Sequence, residues 1–171
     1  MRRRFYRQPR RRFLEKNINW KKVIDKYTYK DFVDAYKEVF CDYFDFEDEN
    51  GDYVSLSNDF NYPPDLLPRS VTKFIEDDIN TFLTLISDQF PEFFDTLVNS
   101  HDYKFILRTM ANLYLEQHAM DSAFDNDRVY PRGLSKAIDK IGNKFTNYSE
   151  VIYPEVIYDE DGDYEGIDWD N

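Results

Sequence analysis

Apolar residues recur at helical spacing through most of this chain. Trp20, Val23, Ile24 and Tyr27 mark a short helix after Asn19, a residue suited to capping. Thr28, with Asp31 three residues on, has the form of a capping box, and Phe32, Ala35, Tyr36, Val39, Phe40 and Tyr43 continue a helical face beyond it. The pattern fails between Glu47 and Gly51, where acids and Asn50-Gly51 interrupt it. Ser70 heads the clearest helix. Its face of Val71, Phe74, Ile75, Ile79, Phe82, Leu83 and Ile86 runs unbroken to about Gln89. Pro91 opens a shorter helix with Phe93, Phe94, Leu97 and Val98 inward, because a missing amide costs nothing at the first helical position. Ser100 then caps a long helix to about Phe124, with Phe105, Ile106, Met110, Leu113, Tyr114, Gln117 and Met120 on its inner side. A last helix from Leu134, beyond a turn holding Pro131, carries Ala137, Ile138, Ile141 and Phe145.

Three stretches depart from this periodicity. Residues 1–18 show none and contain Pro9, which predicts an arm that is disordered when free. Residues 52–69 read as a loop stopped by Pro63, Pro64 and Pro68. Its Tyr53, Leu56, Phe60 and Tyr62 imply that it lies along a surface. Asn50-Gly51 also permits a brief hairpin with Tyr53-Val54 on its second arm. In the tail, Val-Ile-Tyr occurs twice, at 151–153 and 156–158. These residues favour extended structure, and Pro154 between them forbids a central strand. The expected architecture is all-α: a compact bundle of five or six helices over residues 19–145 with a long loop near 47–69, a basic arm at 1–18 and an extended acidic tail at 146–171.

Charge changes that picture more than composition does. The first 12 residues hold seven arginines and no acid, while the last 22 hold nine acids and no base. Through Lys30 the balance is 12 bases against two acids, or +10. From Asp31 onward it is 10 against 32, or −22, so the net −12 conceals two opposed regions. Such regions suit large charged partners better than a small reacting substrate. Aromatics at 18% supply a real core, so disorder throughout is excluded. Abundant Phe, Tyr, Asn, Asp, Ile and Lys with only five Ala follow A/T-rich codons. No apolar run reaches the roughly 18 residues of a membrane span, and no apolar stretch follows the leading arginines as a secretion signal requires. The location read from this is intracellular or within a virion. The single Cys41, flanked by Phe40 and Phe44, reads as a small core residue in a reducing compartment.

Candidate chemistry is sparse. His101 and His118 lie far apart without paired cysteines, and the five glycines never cluster into a phosphate loop. No Gly-x-Ser-x-Gly elbow is present, and Asp77-Asp78, Asp42 with Asp45 and Glu92 with Asp95 each fit a solvated helix face. Asp159, Asp161, Asp163 and Asp170 fall at positions 1, 3, 5 and 12 of an EF-type loop, but Tyr164 stands where glycine makes the turn. They are a weak candidate for a cation, and no metal site, cofactor or catalytic role is assigned.

The strongest motif is the arm. Arg2, Arg3, Arg4, Arg7, Arg10, Arg11 and Arg12 interleave with Phe5 and Tyr6, combining phosphate-gripping forks with stacking rings. It suits non-specific nucleic acid or an acidic protein surface equally. Val151, Ile152, Tyr153, Val156, Ile157 and Tyr158 form the second candidate, an extended segment for docking on a neighbouring subunit, with packing on its own bundle as the alternative. The reading that follows is a non-enzymatic component of a large assembly, a homo-oligomer contacting other subunits through its terminal arms. A ring-forming connector or internal capsid protein of a phage or virus has this layout. The competing reading is an acidic protein that mimics nucleic acid and inhibits or regulates a basic target.

Overall fold

The computed structural model describes residues 18–100 and 131–170. Within them the order is α1 (Trp20–Val23), α2 (Lys26–Tyr43), β1 (Asp45–Glu47), β2 (Tyr53–Ser55), α3 (Leu56–Phe60), a 3₁₀ turn (Pro64–Leu66), α4 (Arg69–Gln89), α5 (Pro91–Ser100), α6 (Leu134–Ile141), a 3₁₀ turn (Gly142–Lys144), α7 (Tyr148–Val151), β3 (Tyr153–Tyr158) and β4 (Tyr164–Asp170). The expectation of an all-α bundle is corrected: the fold is mixed, with helices joined by two small antiparallel hairpins, β1–β2 and β3–β4. Both hairpins sit where helical periodicity fails and β-favouring Tyr, Val and Ile flank a tight acidic turn, so local propensity and turn chemistry prevail there.

The helix α4 is the axis of the core. Val71, Ile75, Ile79, Phe82, Leu83 and Ile86 on one side of it are fully buried, matching the face read from spacing. Phe32, Tyr36, Val39 and Phe40 of α2 pack in the same core, and Leu134, Ala137 and Ile138 of α6 join it. Trp20 closes one end, its ring 5.4 Å from that of Phe94 on α5 and its Nε1 donating to Thr84 Oγ1 at 3.1 Å.

Cap chemistry explains the departures at helix ends. The chain breaks at Ile24 and Asp25, so the first helix stops short of Tyr27, and Asp25 Oδ1 accepts from the Thr28 amide at the head of α2. Thr28 is buried inside that helix instead of capping it. α4 likewise starts at Arg69 behind Pro68, one residue ahead of Ser70. The expected loop at 52–69 is substantially structured. Ser55 Oγ accepts from the Asn58 amide while Asp59 Oδ2 accepts from the Ser55 amide, a reciprocal cap that starts α3. Asn61 ends it in the left-handed region at φ 49°.

The expected extended tail is instead folded back. In β3–β4 the pairs Pro154↔Trp169 and Val156↔Ile167 share one face, and Val156, Ile167 and Trp169 pack against the core. Trp169 Nε1 donates to the Tyr62 hydroxyl at 3.1 Å. Pro154 is accommodated because a two-stranded sheet is all edge. One extra residue, Glu165, bulges between the pairs Ile157↔Gly166 and Tyr158↔Tyr164.

Candidate functional site

The two hairpins turn through the same sequence. Asp48-Glu49-Asn50-Gly51-Asp52-Tyr53 and Asp159-Glu160-Asp161-Gly162-Asp163-Tyr164 differ only at Asn50 against Asp161. Their hydrogen bonds correspond one for one. Asp48 Oδ1 accepts from the amides of Asn50 and Asp52, both at 2.9 Å, and Asp159 Oδ1 from those of Asp161 and Asp163 at 2.9 and 2.8 Å. The leading Asp amide donates to the carbonyl four residues on, at 2.9 Å in the first turn and 2.8 Å in the second. Gly51 and Gly162 take φ of 83° and 85°, a conformation that other residues adopt only with strain. Carboxylates in each turn therefore satisfy backbone donors, a local reason for aspartate at the first position.

The fold brings the two turns to one end of the molecule. The rings of Phe60 and Tyr164 lie 4.9 Å apart. Burial pushes the Tyr158 phenol up, and the carboxylates of Asp48, Glu49 and Asp52 across the gap push it further, placing the foot of the second hairpin within electrostatic reach of the first turn. Around them Tyr53 is 76% exposed and Tyr164 40%. The result is an acidic, tyrosine-bearing surface whose carboxylates face water.

The residues singled out from sequence are distributed as follows. Arg2, Arg3, Arg4, Phe5, Tyr6, Arg7, Arg10, Arg11 and Arg12 lie outside the described residues, as do His101, His118 and the helix expected between Ser100 and Phe124. Of the docking segment, Ile152 and Val156 turn into the chain's own core at 2% and 7% exposure. Val151 and Tyr153 face solvent, and Ile157 and Tyr158 are half-buried. Asp159, Asp161 and Asp163 share one turn, with Asp159 committed to its amides. Among the described residues no group of three or more histidine, cysteine or acidic side chains is arranged to hold a metal ion. Cys41 is fully buried. Burial, then the neighbouring Asp42, pushes its thiol to about 12, which leaves it protonated and unreactive at neutral pH.

Asp78 requires a correction. Expected on a solvated face with Asp77, it is 2% exposed, while Asp77, Asp42, Asp45, Glu92 and Asp95 are exposed as read. Its Oδ1 accepts from the Thr146 amide and the Thr146 hydroxyl, both at 3.0 Å, and its Oδ2 from the Tyr148 hydroxyl at 2.6 Å. The Tyr36 hydroxyl is 3.3 Å from that of Tyr148. Tyr148 has one hydroxyl proton and gives it to Asp78, so Tyr36 donates into the Tyr148 oxygen. Burial raises the Asp78 carboxyl above its ordinary value, with the bonds from Tyr148 and Thr146 opposing it. The signal was present in the sequence: Asp78 falls three residues after Ile75 and four before Phe82, on the apolar stripe itself.

No known protein family, curated protein or solved structure matches the chain. Among the described residues no helix is long and apolar enough to cross a membrane.

Proposed function

We propose that this protein is a non-enzymatic component of a larger assembly, held to its neighbours by opposed charges. The observation that carries the proposal is the segregation of charge: +10 through Lys30 against −22 beyond it, with one acidic turn repeated in both hairpins. An acidic end and an arginine arm on the same chain permit head-to-tail contacts, which close into a ring when the rotation between copies allows. The folded-back tail moves the acidic contact from a free strand to the hairpin end. A ring-forming connector or internal capsid protein of a phage or virus is the setting proposed, with the arm also free to grip nucleic acid without sequence preference.

Light-scattering mass of the full chain at low and high salt tests this. The expected result is a defined oligomer at low salt that dissociates as salt rises, because exposed ion pairs are screened. A monomer at both concentrations overturns it. A second reading, an acidic mimic of nucleic acid, is favoured by the −22 balance alone; a monomer that blocks a nuclease would support it.

A further inference from the structure

The β3–β4 hairpin has two faces of different character. Val156, Ile167 and Trp169 turn toward the core, so the alternate pairs, Glu155↔Asp168 and Ile157↔Gly166, share the outward face with Tyr153. Glu155 and Asp168 are exposed, and Tyr153 is 61% exposed. The Tyr153 hydroxyl donates to the Glu150 carbonyl at 2.8 Å, which pins the ring on this surface. Two carboxylates directly opposite one another weaken a two-stranded sheet. No lysine or arginine occurs anywhere from Phe145 to Asn171. Among the described residues, neither acid enters an ion pair. The outward face therefore holds a repulsion that these residues leave in place.

We infer that this face is the seat of the arginine arm, residues 2–13, of a second copy of the chain. The inference rests on the assembly proposed above and names the contact within it. Charge is complementary: the first 12 residues carry seven arginines and no acid, whereas residues 145–171 carry nine acids and no base. The spacing is complementary as well. Along β3 the outward positions run apolar, acidic, apolar in Tyr153, Glu155 and Ile157. Alternate residues of an extended segment share one side. At that same two-residue step the arm runs apolar, basic, apolar in Phe5, Arg7 and Pro9, and again in Pro9, Arg11 and Phe13. An arginine so placed meets Glu155 and Asp168 together, and its planar fork can bridge both carboxylates. A neighbouring guanidinium can stack on the pinned ring of Tyr153. Opposite Ile157, Gly166 has no side chain, and no other atom lies within 4 Å of where its Cβ would stand, which leaves room for an incoming apolar group. Nucleic acid is repelled by this face, so it competes for the arm and not for the hairpin.

The test uses the full chain and a fluorescein-labelled peptide of residues 1–13. Fluorescence anisotropy reads peptide binding, and light scattering reads the mass of the chain at low and high salt. The peptide should bind in a salt-sensitive way and, in excess, dissociate the oligomer. Glu155→Gln combined with Asp168→Asn should weaken peptide binding roughly tenfold and lower the mass at a given concentration. The same pair should hold or raise the melting temperature, because it removes the cross-strand repulsion. Tyr153→Ala should weaken binding roughly two- to fivefold. Glu92→Gln with Asp95→Asn removes the same charge from α5 and should change binding by less than about twofold, because a local contact is screened from distant charge. The inference is overturned if the hairpin pair leaves binding unchanged or the α5 pair weakens it equally; a salt-sensitive oligomer in the parent then keeps the assembly proposal standing. It is also overturned if the hairpin pair loses binding only by melting early. A parent that is monomeric at both salt concentrations overturns the assembly, and with it a second copy as the source of the arm, whatever the peptide does.

Discussion

At the scale of single residues, burial decides which groups are reactive and which hold structure. Asp78→Ala would remove from the interior the acceptor of the Thr146 amide, the Thr146 hydroxyl and the Tyr148 hydroxyl, a loss on the order of 3 kcal/mol, while Asp78→Asn should stay within about 1 kcal/mol of the parent. Thermal unfolding of the two variants checks this, and equal losses would contradict the hydrogen-bond account. Cys41, fully buried with its thiol pushed to about 12, should resist a thiol reagent at pH 8 in the folded protein and react promptly in denaturant. The fate of Cys41 was legible from its phenylalanine neighbours. That of Asp78 was legible only by giving its position on the helix precedence over its charge. What spacing cannot supply is the partner set, because Thr146 and Tyr148 lie 68 and 70 residues away along the chain.

At the scale of elements, helix faces were read well and everything between them less well. The α4 face and the start of α5 at Pro91 follow from periodicity and proline chemistry, both local properties. The β3 strand was also foreshadowed by Val-Ile-Tyr and Pro154. Its pairing with β4 was not, since three of the seven β4 residues are acids and its ties to the core come from Ile167 and Trp169 on one face and from Tyr164 against Phe60. This alters the expected effect of mutation there. Ile152→Asp buries a charge in the chain's own core and should lower the melting temperature of the isolated protein sharply, a measurement that separates self-packing from docking on a neighbour. Gly162→Ala should cost about 1 kcal/mol because its φ of 85° disfavours a Cβ. No other atom lies within 4 Å of where that Cβ would stand, so the loss isolates backbone strain. Gly51→Ala should cost a similar amount, its added Cβ meeting Glu47 Oε1 at an ordinary van der Waals distance of 3.6 Å.

At the scale of the whole molecule, charge was the most legible property and the fold class the least. Opposed terminal charges are visible in the sequence, but the way β3–β4 carries its acids alongside β1–β2 depends on long-range packing such as that of Phe60 with Tyr164. Deleting residues 1–13 should remove salt-sensitive nucleic-acid binding, measured as the slope of log K against log salt, which shrinks by roughly 0.9 for each duplex phosphate that the arm no longer neutralises. An unchanged slope would assign the arm to protein alone. The paired turns also bear on how the protein ages. Asn-Gly is prone to lose its side-chain amide because glycine offers no Cβ to hinder attack by its own nitrogen. In the folded turn the Gly51 amide is engaged with the Asp48 carbonyl at 3.1 Å, which should slow that loss. Where it occurs with the normal backbone link retained, it turns the first loop into the sequence of the second, whose Asp161 already occupies the equivalent place without disturbing the bonds around it. Long-stored protein should therefore drift toward a more acidic isoelectric point, with Asn50 as the site of decay, and the fraction that keeps the normal backbone link should keep its shape.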